Sequence, residues 1–372
     1  MCGLQRITTN SRVKRLRTNH WDKLGAMELE AQNVSTAIAS CDRLLIVAAA
    51  GLSISDTLPN NPYHSPVDFA RHYPACARFG YRTSYHAMGL GRDERVPAGV
   101  RVAYQAKHFL NMSMEFPPTD GYTWLLRVAS TFKPEDTFVW TSNVDRCFER
   151  AGFDPARIYT TQGECNRMQC GRPECRNVWD AIEQFRAIDA ASDDGTLSDL
   201  SLAPRCPKCG CQWPNVLPNL RGGDWFDCRP YKDAGLRLQH WLDQCVLDRA
   251  HVSILEVGVG PNTPVVTRIP ACAFASALKA NGGQPVYLRV NPDPPEGPSE
   301  NPSREVPFFK LQEPWRAMKP LLEEVISLRF GRAAKAASTN ASDSEAKEVQ
   351  EQAKVWQQRY HSILESLRRP RS

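Results

Sequence analysis

Hydrophobic and polar positions along the chain follow two alternating regimes. "MELEAQNVSTAIAS" (27–40) carries apolar residues at helical spacing, and "RLLIVAAAGLSIS" (43–55) then runs apolar as far as Gly51. A short continuous apolar run suits a strand covered on both faces, as in a parallel sheet. Similar runs recur at "DTFVWTSN" (136–143), "HVSILEVGVG" (251–260) and "QPVYLRVN" (284–291). Helical spacing fills the intervals at about 121–131, 232–248, 263–280 and 313–328. Strands alternating with helices predict an α/β fold built on a doubly wound parallel sheet.

Two stretches break the alternation. Residues 59–120 are rich in Pro, Tyr, His and Arg and predict loops with short helices. Residues 164–220 hold cysteine pairs and the polar "DAASDDGTLSDLS". Both read as insertions that form a small zinc-binding and helical domain beside the sheet. The chain then divides into a basic arm (1–26), one large unit (27–328), and a linker leading to a C-terminal amphipathic helix (329–372). In that tail Ser342 and Glu345 have capping-box spacing. Val349, Ala353, Trp356, Tyr360, Ile363 and Leu367 recur at steps of four and three, which places one apolar stripe on a single helix. The stripe either packs back on its own chain or serves self-association or a partner; an Ala and a Tyr on it make a weak zipper.

Composition narrows the class. The 372 residues are 42% hydrophobic, enough for a large core. No run of eighteen apolar residues occurs, which argues against a membrane span. A formal net charge of +5 is too mild to argue for nucleic-acid binding. Arg6, Arg12, Lys14, Arg15 and Arg17 precede the first acid, Asp22, and fit a disordered basic arm better than a transit peptide. No apolar signal segment opens the chain, and the thirteen cysteines are an odd number. That combination predicts an intracellular, reducing compartment, cytoplasmic rather than mitochondrial, with thiols or metal ligands in place of disulfides. Cys41, Cys76, Cys147, Cys245 and Cys272 sit among apolar neighbours and read as core thiols.

The remaining cysteines carry chemistry. Cys170 and Cys175 form C-x4-C, and Cys206 and Cys209 form C-x2-C in a "CPKCG" knuckle. Four thiolates on two turns suit tetrahedral zinc with no open position, a structural site. Cys165 and Cys211 keep spacings that would also allow ligation. Ala49, Ala50 and Gly51 end the first strand, and Gly258 and Gly260 end a later one. Small residues at strand C-termini let backbone N–H groups approach a diphosphate. Asn143 and Asp145 in "TSNVD" follow a third strand and would face the same crevice, although an Asn helix cap and a surface Asp would look alike.

Taken in order, "AAAGLS", "TSNVD", "TQGE", C-x4-C, C-x2-C, "EVGVG" and "RVN" resemble the sirtuins over about residues 27–328. The resemblance implies a Rossmann-like domain, a small zinc domain and consumption of NAD. It implies an NAD site at Ala49, Ala50, Gly51, Ser53, Asn143, Asp145, Gly258, Val259, Gly260, Asn262 and Asn291. Departures from the common pattern carry further information. The first loop lacks a Gly-Ala-Gly, and "SDTLPNNPY" offers no clear "DFR". Gln162-Gly163 stands where deacetylating sirtuins have His-Gly, and "GVG" stands for "GTS". These changes, with Arg221 in "PNLRGGDWF", are similar to the class M sirtuins, which resemble protein ADP-ribosyltransferases.

Chemistry points the same way. Sirtuin-type deacylation needs a base near neutrality, which histidine supplies and a glutamine amide does not. Gln162 can still orient ribose or acceptor through hydrogen bonds. Cleaving nicotinamide from NAD needs no such base. Asn143 would position the ribose, Asp145 the carboxamide, and Arg221 an anionic acceptor or phosphate. The expected activity is NAD-dependent ADP-ribosyl transfer to a protein side chain, acceptor unidentified. Residual deacylation, NAD hydrolysis and an inactive NAD- or partner-binding module are the alternatives.

Overall fold

The structure is a computed structural model that describes residues 33–54, 63, 65–222, 225–261, 264–292 and 301–339. The basic arm, Asn262 and the apolar stripe of the tail lie outside the described residues.

Eleven strands occur among the described residues: β1 (Arg43–Ala48), β2 (Thr137–Thr141), β3 (Ile158–Thr160), β4 (Gly163–Cys170), β5 (Val178–Asp180), β6 (Ser192–Asp193), β7 (Thr196–Leu197), β8 (Val216–Leu220), β9 (His251–Val257), β10 (Gln284–Val290) and β11 (Phe308–Leu311). Six of them form one sheet in the order β11-β10-β9-β1-β2-β3, every pair parallel. Counted along the chain this is 3-2-1-4-5-6, the Rossmann order, with its switch point between β1 and β9.

The apolar run of β1 divides by parity. Leu44, Ile46 and Ala48 join one core with Ile38, Tyr122, Leu125, Leu322 and Val325. Leu45, Val47 and Ala49 join the opposite core with Trp241, Cys245, Ala271 and Leu278. Successive side chains point to opposite faces, and helices cover both, so every position had to be apolar. Cys41, Cys76, Cys147, Cys245 and Cys272 are all buried thiols, as expected.

Four of the six sheet strands stand where the apolar runs predicted them. The two outer strands, β3 and β11, were not expected. They have three and four residues, too short for a periodicity to show. The helices Asp120–Ala129, Lys232–Leu247 and Arg268–Ala280 follow the predicted spacing, the last beginning five residues later than 263. The segment after Arg332 was expected as a linker. Instead, helix Lys319–Thr339 extends past Arg332 as far as Thr339, as an Ala-rich sequence allows. Region 59–120 is more helical than expected, with the 13-residue helix Ala98–Leu110 at its centre.

The second insertion builds its own three-stranded antiparallel sheet, β5-β4-β8, and a small β6–β7 hairpin. Its apolar residues Met168, Phe185, Ile188 and Val216 pack with Val102, Phe109 and Leu110 of helix Ala98–Leu110. The two insertions therefore share one core beside the parallel sheet.

At the switch point the loops after β1 and β9 touch backbone to backbone. Gly51 N–H donates to the Gly258 carbonyl at 2.9 Å, and Gly258 N–H donates to Val290 O at 2.9 Å. Gly258 has φ +65°, and a Cβ there would lie 2.3 Å from Leu52 N. Both the left-handed conformation and the contact demand glycine. Gly258→Ala should therefore lower stability by about 3 kcal/mol, combining positive-φ strain with overpacking. Urea unfolding of the variant checks this; an unchanged midpoint would contradict it.

Candidate active site

The crevice above the switch point is assembled from three strand ends. The loop after β1 forms a single helical turn, Ala50–Ser53, that aims Ser53 across the end of β2. Beyond β2, the Thr141 hydroxyl donates to Ala48 O at 3.0 Å and accepts Asn143 N–H at 3.0 Å. That pair of bonds turns the chain so that Asn143 lies beside Ser53. The Asn143 amide nitrogen contacts Ser53 Oγ at 3.2 Å and the Tyr122 hydroxyl at 2.9 Å. Tyr122 OH and Ser53 Oγ are 2.6 Å apart, and Ser53 Oγ donates to Asp145 Oδ2. Asp145 Oδ1 accepts Cys147 N–H at 2.9 Å, the first amide of the short helix Cys147–Ala151.

Arg146, between them, has φ +59°, a left-handed conformation rare outside glycine. Its guanidinium reaches Glu149 at 2.6 Å. The turn is thus held in a strained shape by hydrogen bonds on either side, a pattern that recurs at functional sites. Tyr122 is fully buried, and burial pushes its phenol well above the ordinary range, with Asp145 and Cys147 adding to the rise.

Gln162 and Arg221 come together at the edge of this crevice. The Arg221 N–H donates to Gln162 O at 2.9 Å, where β4 begins and β8 ends. The preceding Thr161 donates both N–H and hydroxyl to Thr141 O, at 3.0 and 3.1 Å. Cys165 N–H donates to Val144 O at 2.8 Å. These bonds carry the start of β4 past the "TSNVD" turn. Gly163, with φ +89°, has Asn219 O where a Cβ would sit, 2.0 Å away. The Arg221 side chain is exposed, and its charge reaches Tyr159, whose phenol is raised chiefly by burial and then by Cys228, with Arg221 opposing.

The loop carrying Arg221 is anchored from beneath. Gln169 Oε1 accepts from Asn219 Nδ2 at 2.6 Å and from Asp227 N–H at 3.0 Å, while its Nε2 donates to Trp225 O at 2.6 Å. Tyr231 OH donates to Asn219 Oδ1 at 2.7 Å. The Arg92 guanidinium lies 4.0 Å above the Trp225 ring and ties the loop to the helical insertion.

Other predicted residues occupy related positions. Ala49 is buried with its N–H on Val257 O at 3.2 Å, and Ala50 is exposed. Val259 is buried, whereas a Cβ on Gly260 would meet nothing within 4 Å. Asn291 is buried at the end of β10, its N–H on Leu311 O at 3.1 Å.

Below the loop after β9 lies a polar cluster not anticipated from sequence. Glu256 Oε1 accepts from Arg268 Nε at 3.0 Å and Arg289 Nε at 2.8 Å, and Glu256 Oε2 accepts from Tyr287 OH at 2.6 Å. All four side chains are buried, and Arg268 also donates to Val259 O. Burial, then Glu256, raises Tyr287 well above its ordinary value. A lone carboxylate inside the apolar run "SILEVG" was the available signal, because a buried charge requires a partner.

The Cys170, Cys175, Cys206 and Cys209 sulfurs lie within 4.8 Å of one another. Cys170–Cys209 and Cys175–Cys206 are 3.6 and 3.7 Å apart. Tetrahedral zinc with bonds of about 2.3 Å would separate its sulfurs by about 3.8 Å, so the four thiols fit the ion. Cys165 and Cys211 fall outside this group. Cys165 is buried in the apolar core of the insertions, and burial pushes its thiol far up. Cys211 Sγ instead faces the Gln212 and Asn215 carbonyls at 4.0 Å.

No family model matches the chain. Over 241 residues, 63% of the chain, it is 32% identical to a probable bifunctional ADP-ribose hydrolase/ADP-ribosyltransferase of Fusarium oxysporum f. sp. cubense. The chain spans 38% of that relative's length. Over 265 residues, 70% of the chain, it is 23% identical to a protein ADP-ribosyltransferase of Staphylococcus aureus, of which it covers 78%. Both relatives are named for ADP-ribosyl transfer, which supports an enzyme of that general kind. No helix among the described residues is long and apolar enough to cross a membrane.

Purified protein should carry about one zinc per chain. Cys206→Ser should lose the metal and lower the unfolding midpoint. Metal analysis checks both, and a well-folded, metal-free protein would overturn the site.

Proposed function

We propose that the chain is a sirtuin-type, NAD-dependent protein ADP-ribosyltransferase. The observation that carries this reading is Gln162 at the entry to β4, its backbone carbonyl held by Arg221 N–H, where a deacylase of this type needs a histidine. An amide cannot take a proton from a ribose hydroxyl at neutral pH. The names of the relatives support the same choice. The bifunctional name belongs to a protein of which the match covers 38%, and the one covered over 78% is named for transfer alone.

In this reading the loops at Ala49–Ser53 and Gly258–Gly260, with Asn262 and Asn291, line the nucleotide. Asn143 holds the nicotinamide ribose. Asp145 fixes Ser53 and the following helix, and each of its oxygens keeps a further lone pair for the carboxamide. The glycosidic C–N bond breaks with its electron pair leaving on nicotinamide. A nucleophilic side chain of the acceptor protein then bonds to the ribose carbon and gives up its proton to solvent. Gln162 orients ribose or acceptor by hydrogen bonds, and Arg221 anchors an anionic group through its planar fork. Zinc at the four cysteines would be structural, holding together the insertion that Gln162 and Arg221 flank.

Asn143→Ala should lower nicotinamide release about a hundredfold or more, as expected when a reacting group loses its position. Gln162→Ala should weaken transfer, and Gln162→His should not produce an efficient deacetylase. Arg221→Lys should behave like Arg221→Ala. Release, transfer and deacetylation assays on the folded variants check these outcomes. Full activity of Asn143→Ala, or deacetylation by the unaltered chain at a rate matching its transfer, would contradict the reading.

A further inference from the structure

The network beneath Asn143 contains fewer hydrogens than acceptors, and counting them determines which end of the amide faces the crevice. The Asp145 carboxylate only accepts, so the single Ser53 hydroxyl hydrogen is committed to Asp145 Oδ2. Ser53 Oγ must then accept from its other neighbours. The Tyr122 hydroxyl, 2.6 Å away, gives its one hydrogen to Ser53. Both oxygens now present only lone pairs to the Asn143 amide, at 3.2 and 2.9 Å. The NH2 end satisfies both oxygens, whereas a carbonyl end could take the Tyr122 hydrogen only by leaving the 2.6 Å contact between Tyr122 and Ser53 with none.

We infer that Tyr122 is a positioning residue that orients the Asn143 amide, leaving Asn143 Oδ1 to accept a hydrogen bond from a hydroxyl of the bound sugar. This rests on the reading of the crevice as an NAD site. Asn143 Oδ1 accepts from none of the described residues, whereas both amide hydrogens have partners. Tyr122 suits the task because it is held twice. Its ring packs edge-on against Phe148 at 4.8 Å between centroids. Its buried phenol also stays protonated across the physiological range, keeping the hydrogen that Ser53 receives. A ligand group at Asn143 Oδ1 must therefore be a donor. A ribose hydroxyl qualifies, and a deoxy carbon in its place does not.

The test is Tyr122→Phe, which keeps the ring against Phe148 and removes only the hydroxyl. Nicotinamide release is measured with NAD and with analogues lacking the 2′- or the 3′-hydroxyl of the nicotinamide ribose. The loss of one oriented hydrogen bond is expected to slow NAD cleavage about tenfold. It should slow cleavage of at least one deoxy analogue far less, because that analogue never used the oriented oxygen. Equal losses on all three substrates would reduce Tyr122 to a packing residue and overturn the inference, as would no loss at all. A second readout does not depend on catalysis. The side-chain 15NH2 signal of Asn143, assigned by its disappearance in Asn143→Asp, should exchange slowly in the parent and quickly in Tyr122→Phe. Fast exchange in the parent would also overturn the inference. Absence of NAD cleavage by the parent, with the slow signal present, would instead sink the NAD reading and leave the orientation standing.

Discussion

Gly51 and Gly258 meet where the strand order of the parallel sheet reverses, and the crevice takes its shape from that contact. A 2.9 Å hydrogen bond joins the two loops, with no room for a Cβ on either glycine. Because the loops touch, the turn at Ala50–Ser53 is set at a defined height above β2. From there Ser53 reaches Asp145 and Asn143. The glycines read from sequence as permitting approach of a diphosphate have a nearer task, which is to permit approach of one another. Beneath them Arg268, Arg289 and Glu256 brace the loop from the interior, with Arg268 holding the Val259 carbonyl.

The second constraint is the junction between β3 and β4. The Thr161 bonds to Thr141 O and the Cys165 bond to Val144 O fasten the start of the cysteine-bearing sheet to the turn bearing Asn143. Gln162 and Arg221 are therefore presented by a rigid edge rather than a free loop. The anchor beneath that edge is a network of buried amides, Gln169 and Asn219, whose nitrogens lie 2.6–3.0 Å from their acceptors. A cation–π contact from Arg92 closes it from the other insertion.

Much of this was legible in the sequence where the physics is local. The apolar runs of β1, β2, β9 and β10 announced strands buried on both faces, and the cysteine spacing announced the four-sulfur cluster. Gln162 and Arg221 stood out in the sequence only through motif order, and their backbone contact only through the fold. Tyr122 left no trace, since a tyrosine on the apolar face of a helix looks like any core aromatic until its hydroxyl partners are known. Glu256 was visible as a charge in an apolar strand, but its partners Arg268 and Arg289 lie 12 and 33 residues away and meet it only through the fold. β3 and β11 were invisible because three or four residues carry no period.

The central claim is that ADP-ribose passes from NAD to a protein side chain and that the missing base excludes efficient deacylation. The most direct measurement incubates the zinc-loaded protein with NAD labelled in the adenine, an extract as acceptor source, and an acetylated peptide in the same tube. The account predicts label covalently attached to protein, dependent on Asn143, with the peptide left acetylated. Label recovered only as free ADP-ribose, or on the acetyl group with the peptide deacetylated, would contradict it.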